Sequence, residues 1–171
     1  VVLLVLAAVV IYYVWQAEQE SRRGRRLERA RRTRNRLKTR EIADRLLTED
    51  AAFVVDDFLG RVSRAFLTIQ RAWSEQDLRP IRPFVSDRVY ERFSLQIEEM
   101  RERKRRNVVE DVEIEEITVV ELVSDAMIET LTVQIRASAF DRWVRDDGSI
   151  RDLPFEARND DARESFVEYW S

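Results

Sequence analysis

The sequence predicts an α+β fold in which helices precede a curved antiparallel sheet and pack on one of its faces. Two observations predict this order. Apolar residues recur at three- and four-residue steps between residues 50 and 100, and they then alternate with polar residues from Val112 to Val123. About 130 residues follow a basic N-terminal stretch, which is enough chain for one domain with its own core. Long strands with one apolar face can wrap a helix into a cone with an apolar cavity at its mouth.

The first fifteen residues contain no charged side chain, and Tyr12, Tyr13 and Trp15 lie at the polar end of this segment. Amphipathic rings at that position favour lipid headgroups. We therefore expect residues 1–16 to form a transmembrane helix, for which roughly 20 apolar residues are needed. Because the sequence begins at Val1 rather than at methionine, we expect the start of this helix to be truncated. A buried core helix is the alternative.

Residues 17–48 predict a second helical segment, since they are rich in Arg, Glu, Ala and Leu. Ten Arg and one Lys lie between Arg22 and Arg40, against the single acid Glu28. A helix this polar on nearly every side is expected to be a basic stalk, a headgroup-contacting segment or a partner-binding strip, not a core element. The cations predict a single-pass protein of an inner or cytoplasmic membrane, with its C-terminal domain in the cytoplasm or, in a mitochondrion, the matrix.

Seven arginines of this segment are the candidate contacts for anionic membrane lipids. Each base close to a membrane surface contributes about 1 kcal/mol of binding free energy. The alternative is that these arginines only enforce topology, and a long polar helix could also pair with copies of itself as a homo-oligomer. The seven are Arg22, Arg23, Arg25, Arg26, Arg29, Arg31 and Arg32.

Two amphipathic helices follow the basic segment. Thr48 is the expected N-cap of a helix over residues 50–75, and Ser86 is the expected cap of the next one. The second helix is expected to end in the charged run Arg101 to Arg106. The apolar stripe of the first helix comprises Phe53, Val54, Phe58, Leu59, Val62, Phe66, Ile69 and Trp73.

Period-two alternation then predicts strands. The first strand has a phase slip at Glu115-Glu116, which indicates a β-bulge. Ser124-Asp125 predicts a turn, and Met127–Phe140 predicts a second strand. Asp146-Asp147-Gly148-Ser149 is a hairpin-turn signal. A last strand is predicted over Glu164–Ser171, and we expect it to be truncated by the end of the sequence.

Cysteine and histidine are both absent from the chain. There is therefore no thiolate site, and the commonest general base and metal ligand near neutral pH is missing. Chemistry that uses carboxylates alone remains open, but the acids follow helical and strand patterns that suit solvated faces. We expect a protein that is not an enzyme and that needs no cofactor or metal. Four aspartates lack the spacing of a calcium loop: Asp146, Asp147, Asp160 and Asp161.

The charge of the chain is unevenly distributed. Its formal net charge of −3 combines the basic segment with residues 41–171, whose net charge is near −11. An acidic domain is a poor general binder of nucleic acid. We therefore expect protein and lipid partners and no nucleic-acid partner.

Three segments of this sequence carry a family resemblance. Phe66–Arg82 matches a signature of Phe, two residues, Ile-Gln-x-Ala-Trp, and then Asp-Leu-x-x-Ile-Arg. Asn107–Val112 and Glu164–Ser171 are similar to the later landmarks of the same family, a strand that opens after an Asn-x-Val loop and a closing strand with tryptophan. The family is that of the Tim44-like domain, found in the membrane anchor of the mitochondrial import motor and in bacterial membrane proteins. Its members often have glycine before the position of Asn107, where this chain has Lys104-Arg105-Arg106, so this turn is expected to differ.

The resemblance implies a nuclear transport factor two-like cone over residues 49–171, with a hydrophobic pocket and membrane association. Our leading hypothesis is a membrane-anchored, non-catalytic scaffold or adaptor in protein transport or insertion, which positions a protein partner at the membrane. The alternative is a carrier or sensor that binds a lipid or a small hydrophobic molecule in the cone.

Two further sets of residues are candidates for binding. Six aromatic residues are candidates to line the pocket, with packed core as the alternative: Phe66, Trp73, Phe84, Tyr90, Phe93 and Trp143. A second basic cluster could meet headgroups or an acidic partner, or could simply suit a helix C-terminus: Arg101, Arg103, Lys104, Arg105 and Arg106.

Overall fold

The described part of the chain contains three α-helices followed by three strands. The computed structural model describes residues 2–125, 128–145 and 163–171, with side chains from residue 26 onward. The helices are α1 (Val2–Glu49), α2 (Val55–Glu75) and α3 (Asp87–Glu102), with a short 3-10 helix at Arg79–Ile81. The strands β1 (Arg105–Ser124), β2 (Glu129–Arg145) and β3 (Glu164–Trp170) form an antiparallel sheet in the order β1-β2-β3. The α+β class is confirmed, and the cone stays a prediction.

Of the two N-cap residues predicted from the sequence, one caps a helix in the structure. The Ser86 hydroxyl accepts a hydrogen bond from the Val89 backbone N–H at 3.4 Å, so the predicted cap of α3 is confirmed. The prediction for Thr48 is wrong. Its hydroxyl donates to the Asp44 carbonyl at 2.9 Å within the last turns of α1. Helix α2 begins at Val55, seven residues after Thr48, without a side-chain cap.

Strand β1 is irregular at three places. Its register with β2 shifts between Glu110 and Glu113, between Ile114 and Glu116, and between Val119 and Glu121. The second shift confirms the bulge predicted from Glu115-Glu116. Each such irregularity bends a strand and increases its twist. β1 also starts earlier than predicted, at Arg105, directly after Lys104 takes a left-handed φ of 50° that glycine adopts without strain.

Two apolar clusters form the core. The larger cluster joins α2 to the sheet through Phe66, Val119, Ile135 and Ala137. The smaller one joins α2, the 3-10 helix and α3 through Ile69, Ala72, Ile81, Ile97 and Met100. Phe66, Ile81 and Ile135 are completely buried.

The basic helix is part of this fold, which corrects the expectation of a stalk without core residues. Ile42 and Leu46 are only 7% and 5% exposed, and both belong to the larger apolar cluster. The two residues are one helical turn apart, so they share one face of α1. Two apolar residues are a weak periodic signal, and for this reason the sequence alone favoured a solvated helix.

The middle of α1 also contacts the polar face of the sheet. Gln134 and Arg136 of β2 reach Asn35 and Glu28 of α1, whereas the intervening Ile135 points into the core. Because side chains alternate along a strand, this part of α1 lies on the face opposite to α2. The basic helix, which was expected to lie outside the domain, therefore adds a contact on the second face of the sheet.

The expected membrane span falls on a segment described by its backbone only. Residues 2–16 belong to α1, but their side chains lie outside the described part. Among the residues that the structure does describe, no helix is sufficiently long and apolar to cross a bilayer. The hairpin-turn signal at residues 146–149 and the aspartates at 160 and 161 also lie outside the described residues.

Replacing Leu46 with alanine should lower the free energy of unfolding by about 2–5 kcal/mol, because a buried leucine leaves a cavity when truncated. The neighbouring Leu47 is 52% exposed, so Leu47→Ala should change the free energy of unfolding by less than about 0.5 kcal/mol. Urea denaturation followed by tryptophan fluorescence measures both values. Equal effects of the two substitutions would show that α1 does not pack on the domain.

Candidate functional site

An apolar cleft of about 740 Å³ opens between α2, α3 and the sheet. Helix α2 contributes Ile69 and Trp73, and α3 contributes Val89 and Phe93, in each case at a spacing of four residues. This spacing places both side chains of a pair on one helical face. Strand β3 closes the third side with Phe166 and Trp170. These two residues are four positions apart, and an even step along a strand places side chains on the same face.

Aromatic contacts fix the shape of the cleft. The rings of Trp73 and Phe93 meet edge to face, with their centroids 5.7 Å apart. The Trp170 ring packs on Phe66 at 5.3 Å, so the β3 wall of the cleft rests on a completely buried core residue. The walls are thus continuous with both apolar clusters, and α2 cannot shift without changing the cleft.

Asn107 is the buried polar group at the base of the cleft. Its side chain is only 7% exposed, and its Oδ1 accepts a hydrogen bond of 2.8 Å from Trp73 Nε1. Its amide nitrogen donates to the Asp141 carboxylate and, at 3.4 Å, to the Arg142 carbonyl. Since a buried indole N–H needs an acceptor, this amide orients the Trp73 ring towards the cleft.

The charged part of the lining is acidic. Asp141, Glu164 and Glu168 contribute carboxylates, and no Arg or Lys of the described residues lines the cleft. Glu168 accepts a hydrogen bond of 2.8 Å from Trp170 Nε1. The arrangement can hold an apolar body within the walls and leaves negative charge at its edge.

One carboxyl group outside the cleft has a strongly shifted pKa. Hydrogen bonds from the Arg79 side chain and from its backbone N–H lower the pKa of Asp77 to about 2. Asp77 lies at the corner between α2 and the 3-10 helix, so this ion pair shapes the corner rather than the cleft.

The six candidate pocket residues occupy three environments. Trp73, Phe84 and Phe93 line the cleft, whereas Phe66 lies in the larger apolar cluster below it. Tyr90 and Trp143 pack against the smaller cluster, and an arginine guanidinium lies over the face of each ring. The guanidinium carbon of Arg82 lies 5.1 Å from the Tyr90 centroid, and that of Arg105 lies 4.6 Å from Trp143.

The arginines predicted to contact lipid headgroups also fall into three groups: those that contact the domain, those that are exposed and those whose side chains are outside the described part. Arg31 donates to the Tyr169 hydroxyl, and Arg32 lies 3.5 Å from Glu28 and 3.6 Å from Glu115. Arg26 and Arg29 are exposed. The side chains of the other three lie outside the described part: Arg22, Arg23 and Arg25.

The second basic cluster is used partly within the domain. Arg101 donates to the Gln76 carbonyl at 2.7 Å, and Arg103 pairs with Glu99 at 2.6 Å. Arg105 covers Trp143, as described above. Lys104 and Arg106 are exposed.

Sequence reasoning missed much of the cleft lining. The sequence assigns Phe166 and Trp170 only to a strand, although their even spacing is a sign that they share one face. In the sequence, Asn107 is recognisable only as a family landmark. A lone asparagine at the start of a strand gives no sign that an indole 34 positions away will bind it.

The structure therefore defines an α+β domain with an apolar, acid-edged cleft and a long basic helix packed against it. Comparison with known protein families matches residues 39–170 to the Tim44-like domain. The chain belongs to this family, as the three resembling segments had implied. The match begins within α1, in agreement with the burial of Ile42 and Leu46. A comparison with curated proteins gave no significant match.

Replacing Phe84 with glutamine should weaken the binding of an apolar fluorescent probe about tenfold, because a half-exposed ring is lost from the cleft mouth. Leu95→Gln is the matched control. Leu95 is 60% exposed on α3 and does not line the cleft. Fluorescence titration of the full chain in a non-ionic detergent below its micelle concentration measures the affinity. An equal loss in both variants would mean that the probe binds elsewhere.

Proposed function

We propose that the protein is a non-catalytic adaptor that is held at a membrane by its N-terminal apolar segment and positions a protein partner there. The partner is met at the cytoplasmic face, or at the matrix face in a mitochondrion. Membership of the Tim44-like family supports a membrane-associated scaffold role. The absence of Cys and His from the sequence supports a role without catalysis.

The continuity of α1 is the observation that carries this proposal. One helix of 48 residues joins the apolar segment to the domain, and at about 1.5 Å per residue it extends over roughly 72 Å. Its last turns are held in the core by Ile42 and Leu46. A membrane that holds residues 1–16 would therefore hold the domain at a defined distance. A flexible linker would allow many distances instead.

The positive charge of the arginines before residue 30 supports contact between this part of the basic segment and anionic lipid. Arg26 and Arg29 have no acidic partner among the described residues, whereas Arg31 and Arg32 contact the domain. We assign the headgroup role to the arginines that precede residue 30, namely Arg22, Arg23, Arg25, Arg26 and Arg29. Each of these would contribute about 1 kcal/mol near an anionic surface.

A second function is supported by the apolar cleft. Its volume of about 740 Å³ lies in the range of small-molecule sites, which are mostly apolar with a few placed polar groups. In this alternative the domain carries or senses a lipid or another small hydrophobic molecule. The probe titration described above separates the two functions, because an adaptor does not require that the cleft be filled.

The lipid contact predicts that replacing Arg22, Arg23, Arg25 and Arg26 with Gln weakens binding to anionic vesicles at least tenfold. Vesicle flotation of a chain lacking residues 1–16 is the measurement, since the apolar segment would otherwise mask the effect. The matched control replaces four exposed arginines of the domain with Gln, namely Arg61, Arg64, Arg71 and Arg88. If the variant of Arg22, Arg23, Arg25 and Arg26 binds vesicles to the same extent as the control variant, these arginines do not contact headgroups.

The adaptor function predicts that a photo-crosslinking residue at Leu95 captures a discrete partner in native membranes. Leu95 is exposed on α3 and does not line the cleft. Adducts are identified by mass spectrometry for the full chain and for the chain lacking residues 1–16. The adduct should depend on the anchor. Identical adducts with and without residues 1–16 would contradict the proposed positioning at a membrane.

A further inference from the structure

A second concavity lies at the seam between α1 and the polar face of the sheet. It has a volume of about 420 Å³, and we call it the seam groove. Its described lining contains three cations and no carboxylate. The lining residues are Arg31, Arg34, Asn35 and Lys38 of α1, Val120 of β1, Gln134 of β2 and Tyr169 of β3.

The three cations project from one side of α1. Arg31, Arg34 and Lys38 follow one another at steps of three and four residues, which places them on a single helical face. Neither Arg34 nor Lys38 forms an ion pair or hydrogen bond within the described residues. Three like charges on one face repel one another, so an anion between them would remove an unfavourable interaction.

The neighbouring arginines of the same helix show a different arrangement. Arg32 lies 3.6 Å from Glu115, and Arg36 lies 2.5 Å from Glu116. The carboxylates of β1 thus neutralise the cations on the adjacent face of α1. Among residues 26–125, 128–145 and 163–171, no carboxylate pairs with the cations of the seam groove.

A chain of buried polar groups forms the floor of the seam groove. Asn35 and Gln134 are only 7% and 5% exposed, and Asn35 Nδ2 donates to Gln134 Oε1 at 2.8 Å. Gln134 Nε2 in turn donates to the Tyr169 hydroxyl oxygen, which also accepts a hydrogen bond from Arg31. With two accepted bonds, the Tyr169 oxygen keeps its own hydrogen available to donate.

We propose that the seam groove binds a phosphate group. A phosphate dianion accepts hydrogen bonds at three oxygens and matches the forked donors of Arg31 and Arg34. Lys38 adds a further charge, and the Tyr169 hydroxyl adds a neutral donor at the floor. The groove is larger than phosphate alone, so the group can be carried by a larger molecule. The seam groove shares only Tyr169 with the described lining of the apolar cleft, and its chemistry is polar rather than apolar. The phosphate site does not depend on the adaptor function.

Two sources can supply this chemistry, a lipid headgroup and a soluble phosphate compound. Arg31 follows Trp15 by sixteen residues, which is about 24 Å along a helix. A headgroup therefore reaches the groove only if α1 runs along the membrane surface. If α1 stands away from the surface, the ligand comes from solution.

Titration of the full chain with inorganic phosphate tests the site. In non-ionic detergent at 150 mM sodium chloride, isothermal calorimetry should show saturable binding of one phosphate per chain. The double substitution Arg34→Gln with Lys38→Gln should weaken it at least tenfold, and Tyr169→Phe should weaken it several-fold. Arg34 and Lys38 have no ion-pair or hydrogen-bond partner in the described part of the chain, so the double variant should keep the thermal stability of the parent.

A matched control separates a built site from general charge attraction. Arg40→Gln with Arg61→Gln removes the same charge from exposed positions outside the groove. This variant should bind phosphate as the parent does. Equal weakening in both double variants, or no saturable binding by the parent, would overturn the proposal.

Nanodiscs distinguish the two sources. The full chain is placed in discs whose anionic lipid is either phosphatidic acid or a fatty acid that carries no phosphate, at equal surface charge, and calorimetry with inorganic phosphate is repeated. Blocked phosphate binding in the phosphatidic acid discs alone identifies a headgroup as the occupant. Equal phosphate binding in both discs identifies a soluble compound. Either result supports the phosphate site, whereas loss of binding in both discs contradicts it.

Discussion

The packing of α1 against the sheet is the interaction on which the rest of the structure depends. It combines burial of Ile42 and Leu46 with a set of polar contacts nearer the N-terminus of the helix. Each buried aliphatic side chain contributes about 1.5–3 kcal/mol, whereas an exposed ion pair contributes about 0–1 kcal/mol. The apolar residues therefore supply most of the stability. The polar contacts determine the direction in which the helix crosses the sheet, because an unpaired Asn35 or Gln134 would lose a buried hydrogen bond.

This packing changes the meaning of the uneven charge distribution. A basic segment next to a domain of net charge near −11 suggested a spacer between a membrane and an acidic body. In the structure, Glu115 and Glu116 of β1 are partly neutralised by Arg32 and Arg36 of that same segment. The basic segment thus has two roles in one helix. It provides counter-charges for the sheet, and it leaves other cations exposed for an anionic partner.

Strand β3 separates two surfaces of different chemistry. Phe166 and Trp170 point into the apolar cleft, while the Tyr169 hydroxyl meets Arg31 and Gln134 beside the seam groove. Alternation along a strand produces this division without any special loop. Trp170 also packs on the buried Phe66, so the position of β3 is fixed by the core. The geometry of both concavities consequently depends on how the last strand pairs with β2.

The α+β class, the Ser86 cap, the bulge near Glu115 and the family of the domain were predictable from the sequence alone. Each of these features depends on local periodicity or on a short motif. The sequence did not reveal that α1 belongs to the core, since Ile42 and Leu46 are too few to give a periodic signal. The sequence also could not predict that Phe66 is buried whereas Trp73 lines the cleft. Both belong to one stripe of α2, but only the sheet decides which is buried and which borders the cleft. The pairs Asn35–Gln134 and Trp73–Asn107 join residues far apart in the chain, so they exist only when the tertiary structure brings their elements together.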